Sequence, residues 1–219
     1  MTLIAVDGPS GSGKSSAAKG AARALGLRYL DTGSMYRAMT WWMLRAGVPV
    51  DDPEAVAGAA ATPMIEVGTD PDAPTVSVDG TDVSGPIRTR EVSNAVSAVA
   101  SVPAVRRRLV DLQRDIIGAG GIVVEGRDIA SVVAPDAGLK IFLTASEQIR
   151  ARRRAGDLLA DPAATVDITL AEQARRDRLD STRKASPLAK VGDAVEIDST
   201  ELGLDEVVQM IVRLAKERQ

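Results

Sequence analysis

Short apolar runs alternate along the chain with longer segments that carry apolar residues at helical spacing. Continuous apolar runs are typical of strands that are covered on both faces, as in a parallel sheet. Their alternation with helical segments predicts an α/β protein built around such a sheet. The expected core strands are 3–6, 28–30, 121–125, 139–143 and 194–198. The expected helices are 14–25, 33–46, 103–117, 146–156, 167–180 and 203–217.

The pattern changes between about residues 62 and 90. The short segments 64–67, 75–78 and 81–83 alternate between apolar and polar residues, and Gly, Pro and Asp separate them. This pattern predicts a small antiparallel β meander inserted into the α/β core. Asp79 and Gly80 would form a tight hairpin turn within it. An unstructured linker is the alternative, and the alternation favours the meander.

The composition narrows the class of protein. A chain of 219 residues with 45% hydrophobic residues and zero mean hydropathy is typical of a soluble globular protein. Its length suits one domain or a core with an inserted lobe. No apolar run could span a bilayer and no signal peptide is recognisable, so we expect a cytoplasmic protein without a membrane partner. The net charge of −3 argues weakly against a nucleic-acid partner.

The lack of cysteine and histidine restricts the chemistry further. Without cysteine the chain has no disulfide, thiol nucleophile or cysteine metal site, and without histidine it has no imidazole base or ligand. Any catalysis must therefore use carboxylates, lysine, arginine, hydroxyls, backbone amides or a bound ion. Arginine, which grips phosphate with a planar fork, clusters near 106–108, 150–154 and 175–183.

A phosphate-binding loop follows the first predicted strand. Residues 8–15, "GPSGSGKS", match the P-loop pattern G-x-x-x-x-G-K-[ST], and an Ala-rich helix follows. The glycines allow successive backbone N–H groups to point inward at phosphate, Lys14 would reach the β- and γ-phosphates, and Ser15 could ligate Mg²⁺ directly or through water. The predicted ATP-binding residues are Gly8, Pro9, Ser10, Gly11, Ser12, Gly13, Lys14, Ser15 and Ser16.

Other motifs choose among P-loop proteins. The chain has no N-K-x-D guanine motif, no apolar strand ends in the D-E pair of a Walker B motif, and the chain is small for a motor. These absences leave a small kinase. The segment 30–39, "LDTGSMYRAM", would place Thr32, Tyr36 and Arg37 at the carboxyl edge of the sheet, where ligands bind in open α/β folds. A capped helix with a surface arginine is the alternative on this segment alone.

Three further segments carry candidate charges. "EGRDIAS", 125–131, would project Arg127 and Asp128 from a strand end, although a structural ion pair is the alternative. The helix at 146–157 would align three arginines that could close over a triphosphate, or it could be a solvated basic face. The arginines of that helix are Arg150, Arg153 and Arg154, and the segment 175–188 adds Arg176, Asp180 and Arg183 as either site or surface charges.

These motifs together resemble the bacterial cytidylate kinases, a family of nucleoside monophosphate kinases. The matching pieces are spread in the family's order over nearly the whole chain, and "DVSGPIRTREV" and "EGRDI" are more specific than the P-loop. The resemblance implies an adenylate-kinase-like fold with a five-stranded parallel sheet. It implies a core domain of 1–35 and 103–219 with a lid at about 150–166, and a monophosphate-binding domain of 36–102 with a β insert at about 62–85.

The resemblance also implies roles for individual residues. Ser97, Arg106 and Asp128 would read cytosine, Arg37 and Arg127 would grip the acceptor phosphate, and Arg176 and Asp180 would hold the sugar. Thr32 stands where the family often has serine and keeps the hydroxyl. The residues expected to neutralise charge during transfer are Lys14, Arg127, Arg153, Arg154 and Arg183.

The activity implied is phosphoryl transfer from Mg²⁺-ATP to CMP or dCMP by a monomer. Asp128 would accept from the exocyclic amine of cytosine but would face a carbonyl oxygen of uracil, so it should decide base choice. Two kinds of alternative stay open. One is another kinase of this architecture, such as a UMP/CMP, adenylate or shikimate kinase. The other is a regulator that senses or hydrolyses ATP without an acceptor.

Overall fold

The computed structural model describes residues 1–157, 166–183 and 185–218. Its strands are β1 Leu3–Asp7, β2 Arg28–Asp31, β3 Ile65–Val67, β4 Val76–Val78, β5 Thr81–Asp82, β6 Ile122–Gly126, β7 Leu139–Thr144 and β8 Val195–Asp198. Its α-helices are α1 Lys14–Leu25, α2 Thr32–Arg45, α3 Pro53–Ala59, α4 Arg90–Ser101, α5 Pro103–Ile117, α6 Glu147–Asp157, α7 Val166–Thr182 and α8 Leu204–Glu217.

Five of the strands form one parallel sheet in the order β2-β6-β1-β7-β8. The α/β prediction and the five core strands are confirmed to within a residue or two at each end. The central strand β1 is covered on both faces, because Ile4 and Val6 point into one hydrophobic cluster and Ala5 points into the other. Since all five strands run the same way, their carboxyl ends meet at one edge of the sheet.

The two hydrophobic clusters lie on opposite faces of this sheet. On one face α1 and α8 pack together, and Gly20 allows a close approach because a Cβ there would lie 2.6 Å from a methyl group of Val208. On the other face α2, α4 and α5 cover Leu30 and Val124. The helices on both faces confirm the predicted layered architecture.

The three remaining strands form a separate antiparallel sheet, β3-β4-β5, as the alternation predicted. Asp79 and Gly80 occupy its hairpin turn with φ of 50° and 76°, which is the left-handed geometry of a tight two-residue turn. The loop between β3 and β4 reaches the core, because the N–H of Tyr29 donates to the carbonyl oxygen of Thr69 at 2.8 Å. The Nε of Arg23 also lies 2.6 Å from Asp72 Oδ1.

The spacing of apolar residues did not predict two of the described helices, α3 and α4. α3 has seven residues, of which only Val56 is buried, so it has almost no apolar face to detect. Its start was nonetheless encoded, since Asp52 caps the backbone N–H groups of Glu54 and Ala55 and Pro53 occupies the first turn. Hydrophobic periodicity did not predict α4, which was expected only from the resemblance to the cytidylate kinases.

The predicted lid at about 150–166 is only partly described. Residues 150–157 form the end of α6, whereas 158–165 lie outside the described residues. The division into a core domain and a monophosphate-binding domain stays a prediction. Within the described part of the chain, no helix combines the length and the apolar character needed to cross a membrane.

Candidate active site

A cleft of about 800 Å³ opens at the carboxyl edge of the parallel sheet. One side is the P-loop, residues 8–16, and the other is formed by α2, α4, α5, the end of β6 and α7. The cleft brings together most of the residues singled out from the sequence, while Gly8 and Pro9 lie behind its surface. The predicted residues that line it are Ser10, Gly11, Ser12, Gly13, Lys14, Ser15, Ser16, Thr32, Tyr36, Arg37, Ser97, Arg106, Arg127, Asp128, Arg153, Arg154, Arg176, Asp180 and Arg183.

The P-loop owes its shape to glycines. Gly11 and Gly13 have φ of 76° and 86°, a left-handed geometry that other residues rarely adopt. Gly11 is also confined, because a Cβ there would lie 2.6 Å from the amide nitrogen of Gln173 and 2.7 Å from the carbonyl oxygen of Arg150. The loop leads into the N-terminus of α1, whose free N–H groups favour a bound anion.

Lys14 begins α1 and is buried at the floor of the cleft. Its Nζ donates to the carbonyl oxygen of Pro9 at 3.1 Å. Burial and the nearby positive charge of Arg127 lower the pKa of Lys14 to about 7, against the opposing influence of Glu125 and Asp31. A bound phosphate would restore the charged form of this lysine, because an adjacent negative charge raises the pKa of an amine.

Two carboxylates near Lys14 were not predicted as site residues, although each ends or nearly ends a core strand. Glu125 is buried, and burial raises its pKa. The hydroxyl of Tyr29 donates to Glu125 Oε1 at 2.9 Å, and the nearby hydroxyls of Ser15 and Tyr29 act against the effect of burial on this pKa. Asp31 lines the cleft and caps α2 by accepting from the N–H of Ser34 at 3.0 Å. The position of an acid at a strand end was the available signal.

The three arginines predicted on α6 divide into two kinds. Arg150 does not line the cleft; it donates to the carbonyl oxygen of Ser10 at 3.0 Å and pairs with Asp177, so it supports the P-loop from behind. Arg153 lines the cleft, and its guanidinium donates to the hydroxyl of Ser199 at 2.9 Å. Arg154 also lines the cleft, with Nη2 3.4 Å from the hydroxyl of Ser93.

A buried ion-pair cluster faces the P-loop across the cleft. Arg106 pairs with Asp128, and its guanidinium carbon lies 5.3 Å from the centre of the Tyr36 ring. The Nη2 of Arg183 lies 3.4 Å from the second oxygen of Asp128. Both oxygens of Asp128 are therefore held by arginines. The resemblance implied that Arg183 approaches the phosphates, whereas here it contacts the acid expected to read the base, so its phosphate role stays a prediction.

A second acid, Asp180 on α7, organises the neighbouring part of the cluster. Arg127 Nε donates to Asp180 Oδ2 at 3.1 Å, and the hydroxyl of Ser97 lies 3.4 Å from Asp180 Oδ1. Burial alone would raise the pKa of Asp180, but Arg127, Arg176 and Arg183 outweigh it and lower the pKa. The carboxylate therefore stays charged.

Several of the described arginines of the cleft lie close enough together to lower one another's pKa values. Burial and then the charge of Arg127 lower the pKa of Arg176 to about 10. Burial lowers the pKa of Arg37 well below its ordinary value, and Arg176 and Arg154 add to the effect. Arg37 is held by the carbonyl oxygen of Ile87 at 3.0 Å and the hydroxyl of Ser93 at 2.9 Å. Buried arginines that repel one another in this way are expected of a site for an anionic ligand.

Thr32 plays a different part from the arginines. Its hydroxyl donates to the backbone carbonyl oxygen of Glu125 at 2.8 Å, which ties the start of α2 to the end of β6. Gly126 is confined at the same point, because a Cβ there would lie 2.6 Å from the Thr32 hydroxyl oxygen. The threonine therefore fixes the junction between two elements that both contribute to the cleft.

Comparison with known proteins agrees with this geometry. The family model described as Cytidylate kinase matches residues 4–217. The Cytidylate kinase of Streptomyces griseus is 56% identical over 99% of this chain and 94% of its own length. That of Mycolicibacterium paratuberculosis is 51% identical over 99% of this chain and 96% of its own length.

A solved structure of an uncharacterised protein from Eubacterium ventriosum shares the fold, with a TM-score of 0.54 and 13% identity over 99% of each chain. At that identity the likeness concerns the fold alone. The family rests instead on the match of nearly the whole sequence and on relatives that are more than half identical to it. The chain therefore belongs to the cytidylate kinase family, whose members are ATP-dependent phosphotransferases.

Proposed function

We propose that this protein transfers the γ-phosphoryl group of ATP to CMP or dCMP, forming ADP and CDP or dCDP. The observation that carries the proposal is a single cleft in which a P-loop faces a buried cluster of arginines and acids around Asp128. A P-loop alone accounts for binding of a nucleoside triphosphate. The second cluster provides a separate place for an anionic, hydrogen-bonding acceptor.

On the donor side, the backbone N–H groups of the P-loop hold the phosphates of ATP, and Lys14 reaches the β- and γ-phosphates. Arg153 and Arg154 approach the same region from α6, and Arg150 on that helix contacts the carbonyl oxygen of Ser10 in the loop. Their charge offsets the negative charge that concentrates as the phosphoryl group moves between two polyanions.

On the acceptor side, Arg37 and Arg127 hold the phosphate of the monophosphate. Ser97, Arg106 and Asp128 read the cytosine, and Arg176 and Asp180 hold the sugar. Asp128 accepts from the exocyclic amine, while Arg106 and the Ser97 hydroxyl donate to the acceptor edge of the base. Uracil would place a carbonyl oxygen against the Asp128 carboxylate, so a site built on these bonds rejects it.

The reaction needs no strong base. The nucleophile is an oxygen of the acceptor phosphate, which is already ionised, so positioning and charge neutralisation supply the catalysis. This agrees with a chain that contains neither histidine nor cysteine. Lys14, Arg127, Arg153, Arg154 and Arg183 are the proposed sources of positive charge.

Mg²⁺ is proposed as the companion ion of ATP, and the donor set fits it. Ser15 presents an exposed hydroxyl at the cleft, near the carboxylate of Glu125. Among the described residues no cluster of acids could hold a metal unaided. Mg²⁺ commonly keeps several waters and takes its remaining ligands from substrate phosphates, so few protein ligands suffice. When bound, the ion supplies further charge neutralisation at the phosphates.

We propose that the chain is divided into two domains with different parts in binding. Residues 36–102 form the monophosphate-binding domain, whereas 1–35 and 103–219 form the core with its lid at about 150–166. The core also contributes acceptor-binding residues, among them Arg106, Asp128 and Asp180. We propose that the protein acts as a monomer in the cytoplasm, with no nucleic-acid or membrane partner. Light scattering of the purified protein at its working concentration checks the first of these statements, since a dimer would double the mass.

The decisive experiment is a coupled assay of ADP formation with Mg²⁺-ATP and separate acceptors. CMP, dCMP, UMP, AMP and shikimate are each supplied at equal concentration, and one reaction receives no acceptor. We expect fast turnover with CMP and dCMP, much slower turnover with UMP and AMP, and none with shikimate. Preference for UMP, AMP or shikimate would identify another kinase of this architecture. Equal ADP formation without any acceptor would identify an ATPase or ATP sensor.

A further inference from the structure

Asp7 is a buried acid that the proposed chemistry does not use. It ends β1 immediately before the P-loop and is 3% exposed. Its Oδ1 accepts from the backbone N–H of Ile129 at 2.8 Å, and its Oδ2 accepts from the backbone N–H of Ala130 at 2.8 Å. Each carboxylate oxygen therefore accepts one hydrogen bond, and the two donors are the consecutive backbone N–H groups that follow Asp128.

This contact joins the two halves of the site beneath the cleft. β1 and β6 are neighbouring parallel strands, and Asp7 lies opposite Gly126 in their register. Beyond that pair the strands separate, one into the P-loop and the other into Arg127 and Asp128. The sheet hydrogen bonds end where the site begins, so the Asp7 carboxylate is the connection that continues across the gap.

We propose that Asp7 is a positioning residue that fixes Arg127 and Asp128 relative to the P-loop and thereby supports discrimination between cytosine and uracil. The inference rests on the proposed function. Arg127 and Asp128 hold different parts of the acceptor, and they are the two residues before Ile129. A shift of this segment would move the base-reading carboxylate and the phosphate-gripping guanidinium together.

A carboxylate suits this position better than its amide. Two N–H donors need two acceptors, and an ionised Asp supplies both, whereas Asn replaces one oxygen with an NH₂ group that would face a backbone N–H. The charged groups near Asp7 are Asp128, which repels it, and Arg127, which attracts it. Burying an acid between them is unfavourable unless hydrogen bonds satisfy it, and these two do.

The test compares Asp7→Asn with wild type and with Ile4→Val. Ile4 lies on the same strand, is fully buried, and has no contact with Ile129 or Ala130 through hydrogen bonds, so its truncation destabilises the sheet without touching the loop. The kcat/KM values for CMP and for UMP and the KM for ATP are measured for all three proteins.

We expect Asp7→Asn to lower the ratio of kcat/KM for CMP over UMP about tenfold, since one charged hydrogen bond is replaced by a repulsive contact. The KM for ATP should change less than about twofold, and Ile4→Val should keep the wild-type ratio.

The outcomes separate the inference from the function on which it rests. If wild type does not prefer CMP over UMP, the proposed function fails. If wild type prefers CMP and Asp7→Asn keeps the same ratio, the positioning role is wrong. Equal losses for CMP, UMP and ATP, matched by Ile4→Val, would mean that Asp7 serves stability alone. If Asp7→Asn does not fold, Asp7→Ser, which retains one acceptor without an amide NH₂, is measured in the same way and decides by the same criteria.

Discussion

The guanidinium of Arg106 forms a buried ion pair with the carboxylate of Asp128, and the two side chains are 5% and 6% exposed. Arg183 contacts the other oxygen of the same carboxylate. Burying two charges is costly, and removing one partner leaves the other uncompensated. Both side chains line the cleft in which we propose that the base binds, so we propose that recognition of the base accounts for this cost.

Asp128→Asn tests base recognition. The amide keeps the volume of the side chain but places an N–H donor or an uncharged oxygen towards the exocyclic amine of cytosine. We expect the KM for CMP to rise about tenfold to a hundredfold, the usual value of a hydrogen bond to a charged group, with little change in the KM for ATP. Activity with UMP should fall less than activity with CMP.

The matched control is Asp136→Asn, which removes an exposed acid further along the same segment. Steady-state kinetics with each nucleotide, beside a thermal unfolding curve for each variant, give the comparison. Equal losses for CMP and ATP in Asp128→Asn would contradict a base-reading role.

Lys14→Ala tests the phosphate-binding loop. The variant removes the positive charge at the floor of the cleft, and we expect kcat to fall by at least about a hundredfold, as for loss of one group that stabilises transition-state charge. The exposed Lys216→Ala serves as control because it removes a lysine on α8, away from the cleft. Unchanged far-ultraviolet circular dichroism would show that the fold survives. Near-normal turnover would contradict the assignment of the P-loop.

Substitutions on α6 distinguish a functional helix from a solvated basic one. Arg153 and Arg154 line the cleft, whereas Arg152 between Ala151 and Arg153 is exposed and does not. We expect Arg153→Ala and Arg154→Ala each to lower kcat about a hundredfold while raising the KM for CMP much less. Arg152→Ala, with the same change of charge on the same helix, should be close to wild type. Similar rates for all three variants would favour the solvated helix.

The sequence predicted the layered fold because its strong signals are local. Continuous apolar strands such as 3–6, the Gly-rich loop and the Asp79-Gly80 turn each depend on a few adjacent residues. α3 was not predicted because its seven residues bury a single valine. Its N-cap residue, Asp52, was a better signal than its periodicity. The resemblance, rather than periodicity, supplied α4, Ser97 and the base-reading use of Arg106, together with the role proposed for each acceptor-binding residue.

What the sequence could not predict is how distant charges pair. Arg150, Arg153 and Arg154 looked alike at i, i+3 and i+4 spacing, yet Arg150 faces Asp177 on α7 and supports the loop instead of lining the cleft. Likewise Asp7 precedes the P-loop by one residue, but its partners Ile129 and Ala130 are more than a hundred residues away, so only the pairing of β1 with β6 brings them together.

Gly11→Ala and Gly26→Ala separate backbone strain from steric conflict. Both glycines have a left-handed φ, of 76° and 65°, but a Cβ at Gly26 would meet nothing within 4 Å. We expect Gly26→Ala to lower the free energy of unfolding by about 1 kcal/mol through backbone strain alone. Gly11→Ala should lower the free energy of unfolding by a larger amount. It should also raise the KM for ATP, because the loop must move away from Gln173 and Arg150. Urea unfolding and ATP titrations measure both effects, and equal unfolding free energies with unchanged KM would contradict the steric argument.

The ionisation of Asp7 predicts a pH dependence of stability with a definite sign. Burial raises its pKa from 3.8 to about 6, even though the N–H groups of Ala130 and Ile129 act in the opposite direction. Between these two values the folded protein binds a proton that the unfolded chain has released. The contribution of Asp7 to the free energy of unfolding is therefore fully present below about pH 4. It is lost as pH rises through about 6, and the total loss is roughly 3 kcal/mol.

The measurement is the free energy of unfolding in urea for wild type and Asp7→Asn at intervals from pH 4 to pH 7.5. Glu125, whose pKa is also raised by burial, titrates in both proteins, so its contribution cancels in the difference between them. Wild-type stability relative to Asp7→Asn should fall steadily up to about pH 6 and then stay level. A difference that rises with pH would mean that the two backbone hydrogen bonds outweigh burial and depress the pKa of Asp7. In that case the carboxylate would hold the Arg127–Asp128 segment more tightly than its burial suggests.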